Sequence, residues 1–96
     1  MVASNPLLAI LDLSGIWMGD KGLEILLKGM QVHKSIISLN ISDNNISHTN
    51  MNMLGEYLSD SHMIELKLGG NTKIGNKGMK LLAKAFWKQS NGLQIV

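Results

Sequence analysis

The sequence predicts an α/β chain built as a stack of short repeats, each a strand, a turn and a helix, with the strands side by side in a parallel sheet. Three observations predict it. The segment LDLSGIWMGDKGLEILLKGM, beginning at Leu11, returns 28 residues later as LNISDNNISHTNMNMLGEYL and after a further 27 as LKLGGNTKIGNKGMKLLAKAF. A fixed period of this length marks architectures of stacked units. Within each copy the apolar residues alternate at the start and then fall at helical spacing, so each unit changes from strand to helix. Between the two lies a stretch rich in Gly, Asn, Asp and Ser, residues that supply local hydrogen bonds and positive-φ positions.

The strands come first. Leu8, Leu11 and Leu13 correspond to Ile36, Leu39 and Ile41, and to Met63, Leu66 and Leu68. Alternation at Leu11/Leu13, Leu39/Ile41 and Leu66/Leu68 puts those side chains on one face and the intervening residues on the other. The turns are SGIWMGD, SDNNISH and GGNTKIGN. The helices follow, with apolar stripes at Leu23, Leu26, Leu27 and Met30, at Met51, Leu54 and Leu58, and at Met79, Leu82, Ala83 and Phe86. Asp20 and Asn76 stand where an N-cap is expected. The units run over about 8–35, 36–62 and 63–92, with a partial fourth strand at 93–96, in one domain over residues 1–96. A strand-helix pair cannot bury its apolar face alone and closes its core against the next unit.

These residues resemble the leucine-rich repeat family, in particular its ribonuclease-inhibitor-like subclass. The subclass motif LxxLxLxxN is met by Ile36, Leu39, Ile41 and Asn44, and by Met63, Leu66, Leu68 and Asn71; its helical half is met by MGDKGLEILLKGM and IGNKGMKLLAKAF. The resemblance implies a leucine-rich-repeat solenoid, with the short parallel sheet on the concave side and α-helices on the convex side. Two departures stand out. Ile16 occupies the place of Asn44 and Asn71, so the first unit lacks the side-chain bond to turn backbone, which a terminal unit tolerates because no earlier turn needs its support. The third unit carries one extra residue after Asn71, which moves Ile74 one place along and predicts a small bulge.

Length and composition agree with a small intracellular domain. A chain of 96 residues buries only roughly 60–65% of its unfolded surface and is marginally stable alone. Nine lysines, no arginine and seven carboxylates give a net charge of +2, a balance too mild to argue for nucleic acid, which is not expected as a partner. The absence of cysteine excludes disulfides, thiolate metal sites and thiol nucleophiles. No run approaches the ~18 apolar residues of a membrane span, and MVASNPLLAILDL lacks a basic leader. The expectation is a soluble, cytoplasmic chain without a membrane partner. Neither end carries a polar capping unit, so the chain reads as part of a longer array or as one that self-associates through open ends.

Isolated motifs carry little chemistry. Gly70 and Gly75 have P-loop separation, but Asn76 precedes Lys77 and Gly78 follows it, where a P-loop needs Gly-Lys-Ser/Thr. His33, His48 and His62 fall in different parts of the repeat and do not converge as metal ligands need to. Asp12, Asp43 and Glu65 have no His, Ser or Lys constellation around them that suits catalysis. No catalytic residue, metal site, cofactor or small-molecule substrate is assigned, and the chain reads as no enzyme. The Asn40-Ile41-Ser42 and Asn45-Ile46-Ser47 triplets read as chance products of Asn-rich turns. Lys77, Lys80, Lys84 and Lys88 form a solvated stripe on the third helix, with Trp87 packing beside it. Met30, Met51, Met63 and Met79 read as core gap fillers.

Function is expected on the sheet face turned away from the helices. Parallel stacking lines up Ile10, Ser38 and Glu65; Asp12, Asn40 and Lys67; and Ser14, Ser42 and Gly69, with Trp17 and Asp43 flanking them in the turns. A column that changes from Asp to Asn to Lys faces away from the core and is not needed for folding. Trp17 reads as a packing plug over the edge of its unit or as an anchor for a partner, since Trp is enriched among binding hot spots. Asp12, Trp17, Ser38, Asn40, Asp43, Glu65 and Lys67 are therefore the candidate partner-binding residues. By resemblance, the family binds proteins through the concave sheet and adjoining loops, which implies a non-enzymatic protein-protein interaction module. The alternative is a structural segment of a larger assembly, held through open ends and convex helices; GTPase activation, known in the family, is argued against by the lack of Arg.

Overall fold

The computed structural model describes residues 10–32, 35–86 and 93–96. Leu8, His33, Trp87, Lys88 and the side chain of Phe86 lie outside the described residues. In chain order the elements are β1 (Ile10–Asp12), α1 (Gly19–Met30), β2 (Ser38–Asn40), a 3-10 turn (His48–Asn50) leading into α2 (Met51–Ser59), β3 (Glu65–Lys67), α3 (Gly75–Phe86) and β4 (Gln94–Ile95). The strands form one parallel sheet in the order β1-β2-β3-β4.

The register is the one the repeat period implies. Leu11 pairs with Leu39, Leu39 with Leu66 and Leu66 with Ile95. Because successive strand residues point to opposite faces, these four side chains share one face. Leu39, Ile41 and Leu66 join Leu23, Leu27, Leu54 and Leu82 in a single apolar cluster. The helices therefore lie on that face. The outer face carries Ser38, Asn40, Glu65 and Lys67, all half-buried. Leu11 and Leu13 on the edge strand are only partly buried.

The expected helix stripes bury Leu23, Leu27 and Met30 in α1 and Met51, Leu54 and Leu58 in α2; Leu26 is half-buried, and Tyr57, which the stripe reading left out, is buried as well. Burial pushes the Tyr57 phenol up from its ordinary value. On α3 only part of the stripe is covered. Leu82 is fully buried, whereas Met79 is 40% exposed and Ala83 is exposed. Their counterparts Leu23 and Met51, and Leu27 and Gly55, are buried because a following unit packs on them. Helical spacing selects a face but not what lies beyond it.

Two asparagines tie the turns together. Asn44 Oδ1 accepts the backbone N–H of Ile16 at 3.0 Å and of Met18 at 3.1 Å, while its Nδ2 donates to the carbonyls of Leu13 and Ser42. Asn71 does the same one unit on, accepting from the N–H of Asn44 at 2.8 Å and Ile46 at 3.1 Å and donating to the carbonyls of Ile41 and Leu68. Both are buried. Each asparagine thus supports the turn of the preceding unit, and Ile16 can replace it in the first. The extra residue after Asn71 is taken up in a turn closed by Ile74 N–H donating to the Asn71 carbonyl at 3.1 Å.

The helix starts differ from expectation. Asp20 and Asn76 are the second residues of α1 and α3, not their caps, since each helix begins at a glycine with positive φ, Gly19 at 65° and Gly75 at 60°. The Asp20 carboxylate instead reaches the next unit. It accepts from the Ser47 N–H at 2.8 Å and from the Ser47 hydroxyl at 2.6 Å, and the Asp20 carbonyl accepts from Asn50 Nδ2 at 2.6 Å. Among the described residues no helix is long and apolar enough to cross a membrane.

Candidate interaction surface

The outer sheet face is assembled by the register alone. Ile10 pairs with Ser38 and Ser38 with Glu65, while Asp12 pairs with Asn40 and Asn40 with Lys67. Adjacent strands lie about 4.8 Å apart, so each row is a continuous line of side chains. Ser38 Oγ donates to Glu65 Oε1 at 2.9 Å, which fixes the carboxylate across the strands. The Ser14, Ser42 and Gly69 row continues past the strand ends, where Gly15 N–H donates to the Ser42 carbonyl at 3.0 Å and Asp43 N–H to the Gly69 carbonyl at 2.8 Å.

Asp12 and Asn40 do more than face outward, contrary to expectation. Asp12 Oδ1 accepts from the Ser14 N–H at 3.0 Å and the Ser14 hydroxyl at 2.7 Å; Asn40 Oδ1 accepts from the Ser42 N–H at 3.0 Å. A short side chain bonding the backbone two residues on is an Asx turn, and it ends the strand. The same device therefore recurs in two units, and the Asp-to-Asn change preserves it. Only Lys67 breaks the pattern. The Ser14 N–H first, then its hydroxyl, hold the Asp12 carboxyl below its ordinary value, and the Lys67 charge across the sheet adds to this.

The turns beside this face are held in the left-handed region at Gly15, Trp17 and Gly19 in the first unit and at Asp43 and Asn45 in the second. Asp and Asn tolerate that conformation, whereas a bulky side chain is disfavoured there. Asp43 is packed over Gly70, at φ 80°, where an added Cβ would collide with the Asp43 carboxylate. Trp17 is the outlier, at φ 60° and 84% exposed. It is no plug. Asn44 clamps the amides on either side of it, Ile16 and Met18, and this bracket turns the indole outward. Asn45 stands in the same bracket one unit later, between the amides of Asn44 and Ile46. The αL geometry at Trp17 was not legible from its residue type; only its alignment with Asn45 carries a signal.

The structure thus brings Ser38, Glu65, Asp12, Asn40 and Lys67 together on one face and puts Asp43 and Trp17 in the turns along its margin. His48 lies in the 3-10 turn leading into α2 and His62 just before β3; among the described residues no group of three His, Asp or Glu side chains could hold a metal ion.

Comparison with known proteins gives one match. A family model described as Leucine Rich repeat matches residues 59–83, from the end of α2 through β3 into α3. The match supports the leucine-rich repeat family, and the parallel four-stranded sheet with three helices is compatible with its fold. Repeats of this family commonly mediate protein-protein interaction and are generally non-enzymatic. No curated protein and no solved structure matches the chain.

Proposed function

We propose that this chain is a non-enzymatic interaction module, a short leucine-rich-repeat solenoid of the ribonuclease-inhibitor-like kind, that binds a protein partner inside the cell through the outer face of its sheet and the adjoining turns. Trp17 is the anchor, with Asp12, Ser38, Asn40, Asp43, Glu65 and Lys67 supplying the polar contacts around it. The observation that carries this reading is Trp17 itself. A large aromatic held in an unfavourable backbone conformation and left in solvent contributes nothing to the core, and strain of this kind concentrates at functional positions. Buried Trp anchors are among the side chains that dominate interface energetics.

The test compares matched baits. Wild type, Trp17→Asn, Lys67→Glu and the helix-face control Lys80→Glu, shown equally folded by circular dichroism, are used to capture proteins from a cell extract. Proteins retained by wild type and Lys80→Glu but lost by Trp17→Asn and Lys67→Glu support the proposal. Loss that follows Lys80→Glu while Trp17→Asn has no effect supports the alternative, a segment held in an assembly through its helices.

A further inference from the structure

The outer ridge of α3 carries an unbalanced charge, on a surface separate from the sheet face. Lys77, Lys80 and Lys84 stand at i, i+3 and i+7, so they share one side of the helix over about 10 Å. Lys73 lies in the turn before it, and all four are exposed. This exposure belongs to their place in the repeat. The matching residues of the second unit, Thr49, Asn52 and Glu56, are exposed as well, although α2 has a unit on either side.

Comparison with α1 shows what the arrangement costs the helix. α1 has Asp20 in its first turn, where an anion suits the positive end of the helix dipole, and Lys28 Nζ pairs with Glu24 Oε2 at 3.0 Å four residues back. In α3 the same places hold Asn76, Lys84 and Lys80, Lys77 stands in the first turn, and the helix contains no carboxylate. Like charges four residues apart and a cation in the first turn both oppose helix formation. Among the described residues none of the four lysines has an ion-pair partner. The repeat thus gives up a favourable pair for a repulsive one at positions that always face solvent, and only an anion from outside the chain relieves it.

We propose that this ridge docks an acidic segment of another polypeptide, an extended stretch with carboxylates on alternate residues, lying along α3. The three ammonium groups leave the helix about 5–6 Å apart on flexible stems, and alternate residues of an extended chain stand about 7 Å apart on one side, so the charges can be met one by one. The width of the ridge selects a linear partner. Packed helices lie about 8–10 Å apart, and beside α3 the second unit presents Glu56 and, at the end of α2, Asp60, both exposed. A broad anionic surface such as a membrane or a nucleic-acid duplex would be brought against these carboxylates, whereas a single chain following α3 avoids them. Single-stranded nucleic acid fits less well, because the described ridge residues include no aromatic on which a base could stack.

The probe is a fluorescein-labelled peptide of alternating Glu and Ser, titrated with the full chain and followed by anisotropy, beside the same peptide with Gln in place of Glu, vesicles containing phosphatidylserine, and oligothymidylate. Salt-sensitive binding of the Glu peptide is expected, weakened about tenfold or more by Lys80→Glu and unchanged by Trp17→Asn or by the charge-matched Lys21→Glu on α1. Because Lys80→Glu gives α3 the pair that α1 has, its unfolding temperature should rise, which separates loss of the ridge from loss of the fold. No binding, equal binding of the Gln peptide, or an equal loss with Lys21→Glu would overturn the proposal. Loss with Trp17→Asn would move the peptide to the sheet face, and tighter binding to the vesicles or to oligothymidylate would make a lipid surface or a nucleic acid the partner; each of these results overturns it too.

Discussion

Asn71 Oδ1 accepts the backbone N–H of Asn44 at 2.8 Å, so the side chain that supports one turn is bonded to the backbone of the residue that supports the turn before it. The two asparagines form a chain of bonds running through the stack, from the carbonyl of Leu13 to that of Leu68. Low dielectric strengthens such bonds and makes an unpaired buried amide costly. The ladder therefore sets how each turn sits, and with it the direction in which Trp17 points.

Removing one rung should be expensive. Asn44→Ala leaves the amides of Ile16 and Met18 without their acceptor and should cost about 1–3 kcal/mol, and Asn71→Ala should cost at least as much because all the groups it serves are buried. Urea unfolding of each variant beside the surface control Lys21→Ala measures this. A cost for Asn44→Ala no larger than the control's would remove the ladder from the list of stabilising features.

The central strand should be the most sensitive part of the core. Leu39 is fully buried, with Leu11 and Leu66 on either side in the sheet. Leu39→Ala should lose about 2–5 kcal/mol from lost burial and the cavity left behind, and Leu11→Ala, on the half-covered edge, clearly less. Equal losses at the two positions, read from the same unfolding curves, would contradict the packing described.

Trp17 should behave in the opposite sense. Trp17→Asn places in the first bracket the residue type that the second already carries at Asn45, with φ 58°. Relief of the left-handed strain should raise stability by about 1 kcal/mol, while capture of the sheet-face partners is lost. Such a trade of stability for function is the usual mark of a binding position. A destabilised Trp17→Asn variant would mean that the indole packs after all.

Asp12 gives a pH handle on the same face. Its folded pKa is depressed, so its stabilising contribution is present above the ordinary value of 3.8 and is lost as pH falls through the lower folded value. NMR titration of the carboxyl should show the depression, and Ser14→Ala should move the value up by removing the hydroxyl bond, leaving the backbone donor in place. An unchanged value in Ser14→Ala would show that the hydroxyl is not bonded in solution.

The strand register was readable because its period of two leaves only one pairing that buries Leu11, Leu39 and Leu66 together. The asparagine positions were readable from their offset to those leucines. Other features depend on contacts between units, which a local pattern does not encode. Asp20 looks like a cap for its own helix and instead bonds Ser47 of the next. Met79 has core spacing and yet is 40% exposed. Asp12 and Asn40 look free on the outer face, yet each ends its strand by bonding a serine two residues on. Trp17 could be placed in a turn from sequence, but its outward direction follows from two bonds made by Asn44, a residue 27 positions further along the chain.

Amide hydrogen exchange at Ile16, Met18, Asn44 and Ile46 in the free chain tests most directly whether the asparagine ladder organises the stack and its face. All four amides donate to an asparagine oxygen from the next unit, so all four should exchange slowly, the first pair should lose protection in Asn44→Ala, and the second pair in Asn71→Ala. Exchange at the rate of exposed turn amides in the wild-type chain, with no response to either substitution, would contradict the account.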